Sequence, residues 1–227
     1  MDALEKLRVR YGGTRLLHRG VAQRAFATLS TGFPLLDAAL CGGVPRGRVT
    51  ELVAQGTAGQ ETLAANILAQ AQVGGGAVAW VDSAGGLPLD LLAAQGVDVE
   101  QLLILRPDGP DQVLSLIHDV MVERSITATV YSVASLAERE RIDRPLATWL
   151  PTLDQAQGVL VLLDLAQPEK RGGSFYASLR LQLVHQAWRR EGSRITGYRT
   201  RVTVLKNKLG PCGSVVDLEI TLPEGMP

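Results

Sequence analysis

The chain has 227 residues, 46% of them hydrophobic, which is ample for one core and near the upper end for a single domain. Lys+Arg and Asp+Glu each number 23, so the formal net charge is zero; this argues against a whole-surface polyelectrolyte mode of nucleic-acid binding and leaves only local basic patches. Cys41 and Cys212 show neither metal-ligand spacing nor a disulfide framework, the charged start MDALEKLRVR lacks the apolar core of a signal peptide, and no apolar run approaches the roughly 18 residues of a membrane span, so a reduced, cytoplasmic protein is expected.

Residues 2–10 have Leu4 and Leu7 on one face and read as a short amphipathic helix stopped by Gly12-Gly13. Residues 1–25 are taken as this helix plus a connector, and 26–227 as one core domain. A short strand is expected over 26–29 and a helix over 35–40, ending at Cys41-Gly42-Gly43. Apolar strand-like runs then follow at 48–54, 77–82, 102–106, 127–133 and 158–165. Helical stretches alternate with them at 60–72, 87–95, 111–124 and about 144–156. Continuous apolar strands separated by helices predict a mostly parallel sheet covered on both faces. From residue 177 the period changes to two: Leu179, Leu181 and Leu183 alternate with Arg180 and Gln182, and Val202 and Val204 with Arg201 and Thr203. Gly192 lies between these stretches, which predicts an antiparallel hairpin, with a last strand over 215–221. The fold class is therefore α/β, with C-terminal antiparallel strands.

The segment Ala54-Gln55-Gly56-Thr57-Ala58-Gly59-Gln60-Glu61-Thr62 joins an apolar strand to a helix. A phosphate-binding loop at such a junction reads G-x-x-x-x-G-K-[ST]. Gly59 keeps the second glycine. Ala54 replaces the first, Gln60 the lysine and Glu61 the hydroxyl residue. The lysine supplies charge to the terminal phosphates and the hydroxyl holds magnesium. Gln60 brings no charge. Glu61 places a carboxylate at a helix start, where it suits the dipole and repels a phosphate. His18, His118 and His185 have no ligand spacing, and Ser132 and Ser135 have no nearby base, so neither a metal nor a nucleophile is assigned.

Several strings in one order resemble the RecA recombinase core. Leu29-Ser30-Thr31-Gly32-Phe33-Pro34-Leu35-Leu36-Asp37, then Gly42-Gly43-Val44-Pro45-Arg46-Gly47-Arg48, are similar to the segment that enters its phosphate loop. Gly96-Val97-Asp98 matches its turn into the third core strand, Phe175-Tyr176-Ala177-Ser178-Leu179-Arg180-Leu181 its FYAS-x-RL, and Thr200-Arg201-Val202-Thr203-Val204-Leu205-Lys206-Asn207-Lys208 its TRVKVVKNK. The resemblance implies a RecA-like sheet flanked by helices. It also locates departures. The family's catalytic glutamate falls on Ala84, its magnesium-site aspartate on Tyr131 and its nucleotide-sensing glutamine on Leu165. Both DNA-binding loops look shortened, to about 138–145 and 167–174, and the family's C-terminal domain is expected to be absent.

A short RecA-like chain without hydrolytic residues is similar, by elimination, to the ImuA family, sometimes labelled SulA-like. That resemblance implies a non-catalytic adaptor in the SOS response to DNA damage and in translesion mutagenesis. It implies protein partners, the polymerase-like ImuB or RecA, with no cofactor and with self-association through a RecA-type interface as a further possibility. The expected interface residues are Phe175, Lys206 and Lys208. Weak DNA contacts are assigned to Arg189, Arg190, Arg194, Lys170 and Arg171, the hairpin arginines being the better candidates. Arg139, Arg141 and Arg144, interleaved with Glu138, Glu140 and Asp143, read as a solvated surface. The alternatives are a divergent RecA/KaiC-superfamily ATPase, a DNA-binding recombination mediator, or a cell-division inhibitor suggested only by the SulA-like label.

Overall fold

The computed structural model describes residues 26–54, 56–83, 85–133, 135–165 and 175–222. The helix expected at 2–10, Ala84, Lys170 and Arg171 lie outside these described residues. In chain order the elements are β1 (Thr28–Leu29), α1 (Pro34–Ala39), β2 (Val44–Pro45), β3 (Arg48–Ala54), α2 (Gln60–Val73), β4 (Ala77–Val81) and α3 (Leu89–Ala94). There follow β5 (Leu102–Leu105), α4 (Pro110–Val122), β6 (Ile126–Ser132), α5 (Leu136–Ala156), β7 (Val159–Leu165), β8 (Leu179–Glu191), β9 (Arg194–Asn207) and β10 (Val215–Thr221).

Eight strands form one sheet in the order β10-β9-β8-β3-β7-β6-β4-β5. Every pairing from β8 through β3 to β5 is parallel, and β9 and β10 add antiparallel strands at one side. Side chains alternate between faces along each strand, which splits the core in two. On one face Leu52, Val161 and Leu181 pack against Leu36 of α1, Leu63, Ile67 and Leu68 of α2, and Leu92 of α3. On the other, Val49, Leu160 and Leu162 pack against Ile117 of α4 and Ile142, Leu146, Trp149 and Leu153 of α5. The turn between β1 and α1 is pinned by Asp37. Its carboxylate accepts from Thr31 N (2.8 Å), Thr31 Oγ1 (2.7 Å) and Ser30 Oγ (2.6 Å), so the Ser30-Thr31-Gly32 turn is closed by one side chain.

One expectation fails. Helix α5 begins at Leu136, not near 144, so the stretch expected as a shortened DNA loop at 138–145 is helical. Ser135 caps it by accepting from Glu138 N at 3.2 Å, the reading that an S-x-x-E string carries. Pro145 and Pro151 lie inside the helix. A proline removes one backbone hydrogen bond, and the burial of Leu146, Trp149 and Leu153 outweighs that loss here.

Arg139 is consequently buried rather than solvated. Its guanidinium pairs with Glu51 of β3, with Asp164 Oδ2 of β7 at 3.3 Å and with Asp143 Oδ1 at 3.3 Å. Arg180 Nε of β8 lies 3.4 Å from the other oxygen of Glu51. This cluster ties α5 to three adjacent strands. Glu51 is fully buried, so removing Arg139 breaks a buried ion pair and leaves Arg180, at 3.4 Å, as the other cation beside it. Arg139→Ala is therefore expected to lower unfolding free energy by about 3–5 kcal/mol in urea denaturation. A change within about 0.5 kcal/mol, the usual effect of a surface substitution, would contradict the burial account.

Candidate functional site

The loop between β3 and α2 is filled from within. Ala54, at the end of β3, is fully buried. Gly59 caps α2 with φ 93°, and a Cβ there would lie 2.9 Å from both Tyr198 Oη and Ile220 Cδ1, so glycine is required by the neighbouring strands. The Gln60 side chain folds back over its own loop. Its Oε1 accepts from Ala58 N at 3.1 Å and its Nε2 donates to Gly56 O at 3.2 Å. From β9, Thr200 Oγ1 donates to Ala58 O at 2.7 Å, and Tyr198 Oη lies 3.0 Å from Thr62 Oγ1. Thr62, the next hydroxyl after Glu61, is thus already engaged.

Glu61 is half-buried, and burial raises its carboxyl above the ordinary value of 4.5. It lines a pocket of about 220 Å³ with Leu91 of α3, Trp188 of β8, Ile195 and Tyr198 of β9, and Leu222. The Trp188 and Tyr198 rings stand 5.7 Å apart at 67°, and the His185 ring lies 4.6 Å from Trp188, tilted by 48°.

The other sequence-assigned positions separate into distinct places. Tyr131 of β6 is fully buried and donates to Glu138 Oε2 at 2.7 Å; burial, followed by that hydrogen bond, holds its hydroxyl well above the usual phenol range. A neutral phenol in this position supplies no metal ligand of carboxylate type. Phe175 is 76% exposed, so it fills no part of the core. Lys206 Nζ and Lys208 Nζ both donate to its carbonyl, at 3.2 and 2.9 Å, and Lys208 Nζ sits 5.2 Å from the Phe175 ring centroid. Partial burial and the neighbouring Lys208 charge together lower the Lys206 ammonium from its usual value. Arg189, Arg190 and Arg194 are exposed on the β8–β9 hairpin. Carboxylates of β10 interrupt the wider basic cluster: Arg199 pairs with Glu219 at 2.6 Å, Arg201 with Asp217 at 2.8 Å, and Arg189 lies 3.9 Å from Glu219.

A nucleoside triphosphate with magnesium fits these residues poorly. At the positions that the resemblance assigns, the expected lysine is Gln60, whose amide is turned into the loop, the expected hydroxyl is the Glu61 carboxylate, and the expected metal carboxylate is Tyr131. Among the described residues no group of three or more His, Cys, Asp or Glu is placed to hold a metal ion, and no helix is long and apolar enough to cross a membrane.

A mostly parallel sheet with a central strand–glycine-loop–helix unit and an antiparallel extension defines the class of RecA-type phosphate-loop folds. Residues 1–157 match the family described as RecA N-terminal domain. The chain is 30% identical to Protein RecA of Chlorobium chlorochromatii over 259 residues, spanning 100% of this chain and 72% of that protein. It is 31% identical to Protein RecA of Chlorobium limicola over 258 residues, spanning 100% of this chain and 73% of that protein. The crystal structure of the RadB recombinase superposes with a TM-score of 0.68 at 19% identity, over 86% of this chain and 96% of that one, which supports the fold. The chain belongs to the RecA family.

The raised Glu61 carboxyl fixes the sign of a pH effect. A group whose pKa is higher folded than unfolded stabilises the fold below its unfolded value, and that stability is lost as pH rises through the folded value. At neutral pH the ionised, half-buried Glu61 therefore opposes folding. Glu61→Gln is expected to raise the melting temperature at pH 7, with the difference shrinking as pH falls toward 4.5. Thermal melts across that range check it, and a lower melting temperature for Glu61→Gln at pH 7 would contradict it.

Proposed function

We propose that this RecA-family chain is a non-catalytic adaptor that holds a protein partner and does not turn over ATP. The observation that carries the reading is the Gln60 side chain lodged in its own phosphate loop, accepting the Ala58 N–H. A phosphate approaching this loop meets no lysine, meets the Glu61 carboxylate, and competes with an existing hydrogen bond. Ala84 at the general-base position carries no titratable group, and Tyr131 in place of the metal carboxylate leaves little to stabilise developing charge.

What replaces catalysis is a surface. Phe175 is exposed, and two lysines anchor its carbonyl, so the ring is presented on a fixed backbone. Aromatic side chains, phenylalanine among them, are enriched at the cores of protein interfaces. The resemblance to ImuA makes translesion mutagenesis in the cytoplasm the setting, with the polymerase-like ImuB or RecA as the partner. DNA contributes weakly in this reading, because the hairpin arginines share their surface with Asp217 and Glu219.

The test uses Phe175→Ala and Lys206→Ala in pull-downs of ImuB and of RecA. Since Phe175 is exposed, its truncation leaves the melting temperature nearly unchanged. At an interface centre it weakens binding by about 2 kcal/mol or more, roughly thirtyfold. Unchanged capture of both partners by both variants would reject the interface, as would a large loss of thermal stability.

A further inference from the structure

The pocket beside the degenerate loop has its own chemistry. Its walls are mostly apolar, from Leu91, Ile195, Leu222, Trp188 and Tyr198, and among the described residues Glu61 is the single charged one that lines it. No described residue forms an ion pair with Glu61. At about 220 Å³ the pocket is smaller than the roughly 300–1,000 Å³ that encloses a drug-sized ligand, and is the size for one large side chain. The start of α2 contributes only about half an elementary positive charge, so the full carboxylate of Glu61 dominates the local field. An anion is therefore repelled, and a cation with an apolar stem is complementary.

We propose that this pocket receives an arginine side chain from a partner protein. The methylene stem lies against Leu91, Ile195 and Leu222. The planar guanidinium pairs with Glu61 and stacks on the Trp188 or Tyr198 ring. Guanidinium suits this place better than ammonium, because it is more weakly hydrated, stacks on aromatic faces and bonds a carboxylate through two parallel N–H groups. That the arginine belongs to a protein rests on the adaptor reading; the selectivity of the pocket does not. The position also gives the RecA-family scaffold a second contact, built from the hairpin and distinct from the Phe175 face.

The experiment titrates the full chain with four probes: n-butylguanidinium, its neutral isostere N-butylurea, n-butylammonium and ADP. Binding is read by the fluorescence of Trp188, which is 48% exposed while Trp80 and Trp149 are buried, and by nuclear magnetic resonance of the Trp188 indole N–H. Butylguanidinium is expected to bind in the millimolar range, at least fivefold tighter than N-butylurea and tighter than butylammonium, with no response to ADP. Glu61→Gln removes the preference for the guanidinium and leaves N-butylurea binding unchanged; Trp188→Ala weakens both. The proposal is overturned if butylguanidinium gives no response, if N-butylurea binds equally well, if Glu61→Gln leaves the preference intact, or if ADP occupies the pocket. Because the probes need no partner, failure here leaves the Phe175 interface standing, and failure of the pull-downs leaves the pocket's selectivity standing.

Discussion

Tyr198 and Thr200 of β9 press on the loop between β3 and α2, and much of the site's behaviour follows from that contact. Thr200 Oγ1 takes the Ala58 carbonyl, Tyr198 Oη meets Thr62 Oγ1, and Gly59 is the residue that fits beneath Tyr198 and Ile220. In a loop held this way the Ala58 N–H, the Ala58 carbonyl and the Gly56 carbonyl are all engaged within the protein. Gln60 completes the arrangement by bonding both ends of the turn. A tight glycine turn is what a phosphate loop requires, and here it serves the packing of an antiparallel extension onto a helix start. The β8–β9 hairpin supplies Trp188 and Tyr198 to the neighbouring pocket, so Tyr198 both closes the loop and shapes the cavity.

The second constraint is electrostatic. Glu51 occupies a fully buried position in the central strand, and the sheet tolerates it because Arg139 and Arg180 converge on it from α5 and β8. Such a cluster is weak evidence for high stability, since desolvation offsets the attraction. Its effect is positional: α5 cannot slide along the sheet without stranding a charge. Lys206 feels the Glu51 charge as well, so the buried cluster and the Phe175–Lys206–Lys208 surface belong to one electrostatic region.

The strands of the sheet were legible in the sequence because buried parallel strands are continuous apolar runs, and the period-two change at residue 177 marked the hairpin. Helix α5 starts at Leu136 rather than near 144 because the Ser135-x-x-Glu138 cap opens it, and burial of Ile142, Leu146 and Trp149 carries it through Pro145. Arg139 reads as solvated beside Glu138 and Glu140, yet its partner Glu51 is 88 positions away. A lone glutamate inside Val49-Thr50-Glu51-Leu52-Val53 was the signal that a buried countercharge must exist. At the loop, the sequence itself displays Gln60 and Glu61 where the phosphate-loop pattern has lysine and a hydroxyl residue. The fold-back of Gln60 was not, because it depends on rotamers. The pocket draws on Glu61, Leu91, Trp188 and Leu222, which are far apart in the chain and share no local pattern.

The central claim is that the loop at Gly56–Gly59 no longer serves a nucleotide. Isothermal titration calorimetry of the full chain with ATP and magnesium, paired with a phosphate-release assay on the same sample, tests it most directly. The account predicts no measurable heat of binding at micromolar protein and no steady release of phosphate. A dissociation constant in the low micromolar range, or sustained turnover, would contradict it.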